Sequence, residues 1–200
     1  MPTRIGFVMD PIGSINIKKD RSFAMMLAAQ RRGWELWYLE VDDLFIRDGQ
    51  AMARMRQVEV ADQLSGWFQL RNAQVLPLAQ LDAVMMRKDP PFDMEYIYTT
   101  YILELAQQAG ALVVNHPRSL RDSNEKVFTT VFPQCAPPTL VTRCARDIRD
   151  FQARHADIIL KPLDGMGGAS VFRVRPDDAN LSVIIETLTR RGTAFCMAQR

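Results

Sequence analysis

The residues Ile158–Val174, IILKPLDGMGGASVFRV, are the most informative about the architecture of their part of the chain. They join an apolar run typical of a strand to a glycine-rich segment and a second apolar run. The lysine precedes the glycines and a strand pattern follows them, whereas a P-loop has its lysine after the glycines and a helix next. The dinucleotide fingerprint GxGxxG is also missing. The stretch therefore predicts a strand, a glycine loop and a second strand.

The glycine loop has the chemistry of a phosphate site. Gly165, Gly167 and Gly168 allow backbone dihedrals that other residues avoid, and successive N–H groups in such a loop can bind one anion. Lys161, at the end of the incoming strand, would add a positive charge beside that anion. So flexible a loop could also close over a nucleotide as a lid. The alternative is a plain hairpin turn with a surface lysine, which needs fewer glycines.

Composition excludes several function classes. The chain has 200 residues, 48% of them hydrophobic and 24% charged, with a formal net charge of +2. No strong field favours nucleic acid or a membrane surface, and no apolar stretch reaches membrane-spanning length. We therefore expect neither nucleic acid nor a membrane as partner.

The cysteines and histidines predict no zinc centre. Cys135, Cys144 and Cys196 are odd in number and lack CxxC spacing, which favours reduced thiols in the cytoplasm over a disulfide framework. His116 and His155 lie far apart, with no partner at ligand spacing. We expect no metal site built from these residues.

Strand and helix patterns alternate over the first 40 residues. RIGFVM (4–9) is predicted as a buried strand, and WELWYLE (34–40) as a second strand. Between them runs a helical pattern with Asp20 as N-cap and Gly33 just past its end. A strand, a helix and a strand at this spacing form a βαβ unit with parallel strands.

The alternation pauses and then resumes. Two extended runs flank Asp48-Gly49, a hairpin signal, and SGWFQL (65–70) is predicted as an edge strand. LDAVMMR (81–87), a long helix ending at Gly110 and ALVVN (111–115) restore the parallel pattern. Residues 1–122 therefore predict a doubly wound α/β domain.

Two loops of this domain follow the carboxyl ends of parallel strands, where ligands of such sheets bind. The first is DPIGSIN (10–16) and the second KDPPFD (88–93), whose double proline forbids helix. Asn16 could hydrogen-bond a peptide amide, and Arg87 could bind a carboxylate. The alternative for Arg87 is an ion pair with Asp89 or Asp93 that only shapes the loop.

The remaining residues, 123–200, predict an α+β domain. SLRDSNEKVFTTVF (119–132) is predicted as a capped helix, and the proline-rich PQCAPP marks a boundary. Further strands are expected over TLVTR, DIILKPL, GASVFRVR and TAFCMAQ, and further helices over RDIRDFQARHA and NLSVIIETLTRR. The final strand pattern runs to Arg200 without a cap, so we expect the chain to stop inside a domain.

The segments together resemble the bacterial glutathione synthetases, a family of ATP-grasp ligases. The resemblance covers the whole chain and is carried by VMDPIGSINIKKDRSFAM, MRKDPPFD, NHPRSLRDSNEK, IILKPLDGMGGASVFRV and CMAQ. It implies an N-terminal α/β (pre-ATP-grasp) domain and the α+β central lid of an ATP-grasp fold. It also implies a C-terminal ATP-grasp part that is absent from this chain.

The resemblance assigns roles to individual residues. Lys126 and Lys161 would contact the phosphates of ATP, Lys161 as the catalytic group, and Gly165, Met166, Gly167 and Gly168 would cover them. Gln199 lies where the family's strand leads to the adenine-binding hinge. Without the family, Lys126 is better explained as a solvated lysine in the first turn of a helix. Mg²⁺ is implied, with its ligands beyond residue 200.

The implied reaction is ATP-dependent ligation of γ-L-glutamyl-L-cysteine with glycine, giving glutathione, ADP and phosphate through an acyl phosphate. The resemblance also implies a cytoplasmic homo-oligomer. Two alternatives stay open. One is another ATP-grasp ligase that joins a different carboxylate and amine. The other is a non-catalytic nucleotide-binding fragment, because the truncated chain could be inactive alone.

Overall fold

A computed structural model describes residues 2–89, 91–165 and 167–200. The chain divides into two compact units, one ending at Arg121 and the other beginning at Asp122. Met166, one of the predicted loop residues, lies outside the described residues. Within the described ranges, no helix is both long and apolar enough to cross a membrane.

The first unit is built on one mixed sheet. Its strands and helices are β1 Arg4–Val8, α1 Arg21–Arg31, β2 Glu35–Leu39, β3 Leu44–Arg47, β4 Gln50–Val60, β5 Phe68–Pro77, β6 Ala83–Met86, α2 Met94–Gln108, β7 Leu112–Val114 and, at its end, α3 Pro117–Asp122. The strand order is β3-β4-β2-β1-β6-β7, with β5 also paired to β4. Strands β2, β1, β6 and β7 are parallel, and the β3-β4-β5 excursion is antiparallel.

The two long helices of this unit cover opposite faces of the sheet. Successive residues of a strand point to opposite faces, and in β1 Phe7 joins a core cluster that contains Met26 of α1. Its neighbour Val8 joins a second cluster that contains Leu103 of α2. The predicted doubly wound α/β fold is therefore confirmed.

Local signals in the first unit behave as predicted. The Asp20 carboxylate accepts a hydrogen bond from Phe23 N (2.7 Å) and caps α1, and Gly110, just past α2, has a φ of 109°. Asp48 and Gly49, with φ of 50° and 77°, form the turn between β3 and β4. Strand β5 is longer than the predicted edge strand, because it pairs with β4 as far as Pro77.

The second unit is a four-stranded antiparallel sheet in the described residues. Its elements are β8 Thr139–Thr142, α4 Ala145–His155, β9 Ile158–Pro162, β10 Phe172–Val174, α5 Leu181–Thr189 and β11 Cys196–Gln199. The strand order is β10-β9-β11-β8. Ile158 and Leu160 of β9 face a core that includes Ile148 of α4 and Ile185 of α5. Lys161, the next residue of β9 after Leu160, therefore points to the other face of the sheet.

Two predictions about this unit are wrong in detail. The predicted helix over residues 119–132 is two pieces, since α3 ends at Asp122 and a 3-10 helix spans Val127–Val131. The Asn124 side chain accepts hydrogen bonds from Lys126 N and Val127 N, both at 3.0 Å, which replaces helical pairing with a local turn.

The strand after the glycine loop also begins later than predicted, at Phe172. Gly167, Gly168 and Ser170 have φ of 64°, 79° and 56°. These left-handed conformations are incompatible with a strand. The predicted hairpin itself is confirmed, because β9 and β10 pair antiparallel.

Candidate functional site

Polar side chains from three strands meet on the face of the second sheet opposite its helices. The Lys161 ammonium donates a hydrogen bond to Gln199 Oε1 at 2.6 Å. Gln199 Nε2 in turn donates to Thr139 Oγ1 at 2.9 Å. Gln199 of β11 therefore links Lys161 on β9 to Thr139 on β8 and fixes the position of the lysine ammonium group.

The charge on Lys161 is held at a cost. Burial, and next the positive charge of Lys126, lower the pKa of Lys161, and Glu125 partly offsets them. Two ammonium groups that repel each other define a position where an anion is favoured. A phosphate placed between them would relieve that repulsion.

Lys126 lies against the glycine loop. Its ammonium donates to the carbonyl oxygen of Gly165 and to Glu125 Oε1, the second bond at 3.0 Å. Its side chain is only 13% exposed, so the alternative of a solvated helical lysine is wrong. Asn124 Nδ2 donates to Leu163 O at 3.3 Å and holds the same segment to the loop.

The glycines of the loop are needed at their positions for different physical reasons. A Cβ at Gly165 would lie 2.8 Å from Cγ of Pro162, too close for any side chain. Gly167 and Gly168 have open space around them but left-handed φ, which favours glycine. The chain turns back after them through a hydrogen bond from Val171 N to Gly168 O, 3.3 Å long.

A cavity that the sequence did not predict opens beside Gln199. Its volume is about 380 Å³, and it is lined by Thr129, Phe132, Cys135, Ala136, Pro137 and Gln199. From the sequence, PQCAPP is predicted only as a domain boundary. An available signal was the spacing of Phe128 and Phe132, whose rings pack with centroids 5.7 Å apart and stay half-exposed.

In the first unit, the structure brings the two predicted loops together. The Asp10 carboxylate binds the Lys88 ammonium at 2.8 Å and accepts from Asp89 N at 3.0 Å. The backbone N–H of Arg87 donates to Val8 O at 2.7 Å. The carboxyl ends of β1 and β6 thus share one polar edge, as parallel pairing requires.

Arg87 is oriented by a residue that the sequence reading missed. Its Nε donates to Ser22 Oγ at 3.1 Å, and Ser22 is buried in the first turn of α1. Among the described residues, Arg87 forms no ion pair with Asp89 or Asp93, so that alternative is not observed. Asp93 instead caps α2 through Tyr96 N at 3.0 Å.

Asn16 lies on the exposed part of the first loop. Its Oδ1 accepts a hydrogen bond from Lys18 N at 3.1 Å, and its side chain is exposed. In the described ranges, no group of three or more His, Cys, Asp or Glu side chains could hold a metal ion.

Comparisons with known proteins identify the family of the chain. The family described as prokaryotic glutathione synthetase, N-terminal domain, matches residues 3–121, and its ATP-grasp domain matches residues 125–200. A glutathione synthetase of Vibrio cholerae is 61% identical over 196 residues, which are 98% of this chain and 62% of that protein. One of Pseudomonas putida is 60% identical over 199 residues, 100% of this chain and 63% of that protein.

Solved structures of low sequence identity share the fold. A D-cycloserine synthetase matches with a TM-score of 0.63 at 14% identity, over 98% of this chain and 58% of that one. A RimK-domain ATP-grasp protein of Sphaerobacter thermophilus matches with a TM-score of 0.61 at 16% identity, over 99% and 64%. The architecture is therefore that of ATP-grasp ligases.

The extent of these matches decides what they identify. The chain spans a little over three-fifths of the length of the curated relatives it matches. The two family domains nevertheless account for nearly all of its residues. The chain belongs to the prokaryotic glutathione synthetase family.

Proposed function

We propose that the protein ligates γ-L-glutamyl-L-cysteine and glycine to glutathione, with conversion of ATP to ADP and phosphate. One observation carries the proposal: Lys126 binds the glycine loop and its charge lowers the pKa of Lys161, in a chain about 60% identical to proteins named glutathione synthetase. Convergent positive charge beside backbone N–H groups is what a triphosphate requires.

In this proposal the second unit holds the nucleotide. Lys161 is the catalytic lysine and, with Lys126, neutralises the phosphates, while Gly165, Met166, Gly167 and Gly168 cover them. Gln199 orients Lys161 through their hydrogen bond and leads toward the adenine-binding hinge. Together, the two lysines and the glycine loop would form a phosphate cradle that neutralises charge and positions the phosphates, which is the main work in phosphoryl transfer.

The first unit is proposed to bind the dipeptide. Arg87, oriented by Ser22, would bind a carboxylate of γ-glutamylcysteine through its terminal guanidinium nitrogens. Asn16, exposed on the first loop, would hydrogen-bond a peptide amide. Both residues follow strands whose carboxyl ends share one edge of the sheet.

The chemistry needs an activated carboxylate. The dipeptide's cysteinyl carboxylate oxygen attacks the γ-phosphorus, the bond from phosphorus to the ADP oxygen breaks, and an acyl phosphate forms. The glycine amine then attacks the acyl carbon, phosphate leaves, and the amine loses a proton. Because an acyl phosphate hydrolyses readily, closure of the glycine loop would serve to exclude water.

The remaining parts of the proposal concern the surroundings of the reaction. Mg²⁺ would neutralise phosphate charge, but the described residues offer no cluster of three or more ligands for it, so we derive no step through it. The free thiols of Cys135, Cys144 and Cys196 suit a reducing compartment, and we propose the cytoplasm. A homo-oligomer stays a prediction from the family resemblance.

The test is a substrate assay on the chain and on the product of its whole coding sequence. With ATP, γ-glutamylcysteine and glycine, we expect ADP release that depends on both substrates, and glutathione identified by mass spectrometry. Lys161→Ala should weaken ADP binding by about tenfold or more, since a charge-assisted hydrogen bond is lost. Arg146→Ala, which removes an exposed charge from α4 of the same unit, is the matched control.

The outcomes separate the alternatives. Turnover with a different carboxylate and amine, but none with these substrates, would support another ATP-grasp ligase. Nucleotide binding without turnover in either protein would support a non-catalytic module. Equal ADP affinity in Lys161→Ala and wild type would remove the lysine from the proposed cradle.

A further inference from the structure

The hydroxyl of Tyr38 connects the buried core of the first unit to its predicted substrate loop. Tyr38 lies on β2 and is only 2% exposed. Its oxygen accepts a hydrogen bond from Ile12 N, 3.0 Å away, in the middle of the loop. The same hydroxyl donates to the Glu40 carboxylate. One buried side chain therefore bridges a loop amide and an acid.

We propose that Tyr38 and Glu40 are positioning residues that hold the loop 10–16 in the geometry that binds the γ-glutamylcysteine substrate. This inference rests on the proposed function. Neither residue needs to touch the substrate, because both act through the backbone of Ile12. Asn16, four residues further along, is the loop's candidate contact.

The polarity of the two hydrogen bonds follows from the surroundings. Burial, and next the hydrogen bond to Glu40, raise the pKa of Tyr38. The hydroxyl therefore keeps its proton and can donate to Glu40 while it accepts from Ile12. Glu40 is itself fixed, since its backbone N–H donates to Asp43 Oδ2 at 3.0 Å.

Other contacts make Ile12 the fixed centre of the loop. Its side chain is 3% exposed and belongs to the same core cluster as Tyr38. Two residues earlier, the Asp10 carboxylate is bound to Lys88 and to Asp89 N. Ile12 is the first residue of a 3-10 turn, Ile12–Ser14, in which Ser14 N donates a hydrogen bond to Pro11 O at 2.8 Å. Because the loop is fixed at Asp10 and Ile12, the position of Asn16, four residues further along, is constrained as well.

The proposal differs from a purely structural role for a buried tyrosine. A tyrosine that only fills the core needs one partner for its hydroxyl. Here the hydroxyl has two partners, the amide of Ile12 in the loop and the carboxylate of Glu40, just past the end of β2. The hydroxyl therefore holds the loop at a fixed position relative to β2. Its loss should alter dipeptide binding and leave nucleotide binding in the second unit unchanged.

The decisive variant is Tyr38→Phe, which keeps the ring and removes both hydrogen bonds. We expect the KM for γ-glutamylcysteine to rise about five- to tenfold, the effect of losing the one hydrogen bond that reaches the loop, from Ile12 N. The KM for ATP should stay within about twofold. Amide hydrogen exchange at Ile12 should accelerate by a similar factor. Tyr98→Phe, the same change at a half-exposed tyrosine on α2, is the matched control.

Two variants of Glu40 keep the test sharp if Tyr38→Phe unfolds. Glu40→Gln retains an acceptor for the hydroxyl and should preserve most of the dipeptide affinity. Glu40→Ala removes the acceptor and should raise the KM for the dipeptide in the direction of Tyr38→Phe. Equal effects of the two Glu40 substitutions would overturn the role of the hydrogen bond.

The outcomes distinguish this inference from the proposed function. If wild type makes no glutathione from the dipeptide and glycine, the proposed function fails and the inference falls with it. If wild type is active and Ile12 exchange accelerates in Tyr38→Phe without a change in the dipeptide KM, the tyrosine is only structural. A parallel loss of affinity for dipeptide and ATP would also overturn the proposal.

Discussion

Lys161 shows at the scale of one residue how environment prepares a side chain for an anion. A surface lysine keeps its charge at little cost, whereas Lys161 is partly buried, is near a second lysine and is held by the neutral amide of Gln199. Burial and the nearby Lys126 favour loss of the proton in the absence of an anion, whereas the hydrogen bond to Gln199 only holds the ammonium group in place. A bound phosphate reverses that balance, because it supplies the missing negative charge.

The pH dependence of nucleotide binding follows from this environment. Burial and Lys126 lower the pKa of Lys161, so ADP affinity should fall at a lower pH than it would if an ordinary lysine bound the phosphates. The sign is fixed because the phosphates bind the protonated form. Folding stability should rise over the same window, since the unfolded chain binds more protons there.

The measurement is an ADP titration at several pH values for wild type and Lys161→Arg. The guanidinium keeps its charge throughout this range, so the affinity of the variant should be nearly flat. The same fall in both proteins would show that another group governs the dependence.

At the scale of elements, the β9–β10 hairpin combines a rigid stem with a loop that has two kinds of glycine. Gly165 is required by the close approach of Pro162, and its carbonyl accepts from Lys126. Gly167 and Gly168 serve the turn itself through their left-handed φ. Cradle position and loop shape therefore depend on different residues of one short segment.

Gly165→Ala tests the first of these requirements. The added Cβ would lie 2.8 Å from the Pro162 ring, so the loop must shift and the Gly165 carbonyl must move from Lys126. We expect ADP affinity to fall about tenfold, the equivalent of one charge-assisted hydrogen bond. Calorimetric ADP titration measures the effect.

Gly33→Ala is the control for glycine replacement at a left-handed position. Gly33 has a φ of 75° with no atom within 4 Å of an added Cβ. Its replacement should cost about 1–2 kcal/mol of stability through backbone strain alone and leave ADP affinity unchanged. Wild-type affinity in a folded Gly165→Ala protein would contradict the assigned role of the close contact.

At the scale of the whole molecule, each unit has a core of its own. The first has clusters on both faces of its sheet, with Leu39 and Phe7 as fully buried members. Within the residues that the structure describes, the second has one cluster, in which Leu160 of β9 is fully buried together with residues of α4 and α5. Stability in each unit should therefore respond to substitutions in its own core.

Leu160→Ala should destabilise the second unit by about 2–5 kcal/mol through lost burial and a cavity. We expect faster amide hydrogen exchange in β8, β9 and β11 and nearly unchanged exchange in β1, β2 and β6. Leu39→Ala is the reciprocal variant and should reverse this pattern. If either substitution made amide hydrogen exchange faster in both units, the two units would unfold as one cooperative body.

Local and periodic signals allowed much of the fold to be predicted. The caps at Asp20 and Gly110, the turn at Asp48-Gly49 and the parallel strand pattern depend on neighbours in sequence, so they can be recognised one segment at a time. The same logic failed at residues 119–132, where the Asn124 side chain competes with helical hydrogen bonds. Side-chain competition of this kind is invisible to periodicity.

Periodicity and motif order predict the α/β and α+β parts of the chain and the candidate glycine loop. The contacts of the loop and its partners come from the folded structure: Lys126 reaches Gly165 across 39 positions, Lys161 reaches Gln199 across 38, and Tyr38 reaches Ile12 across 26. The physical reason is that such contacts depend on strand register and on the packing of separate segments. The neighbours of a residue in sequence do not show which distant segment its side chain will contact.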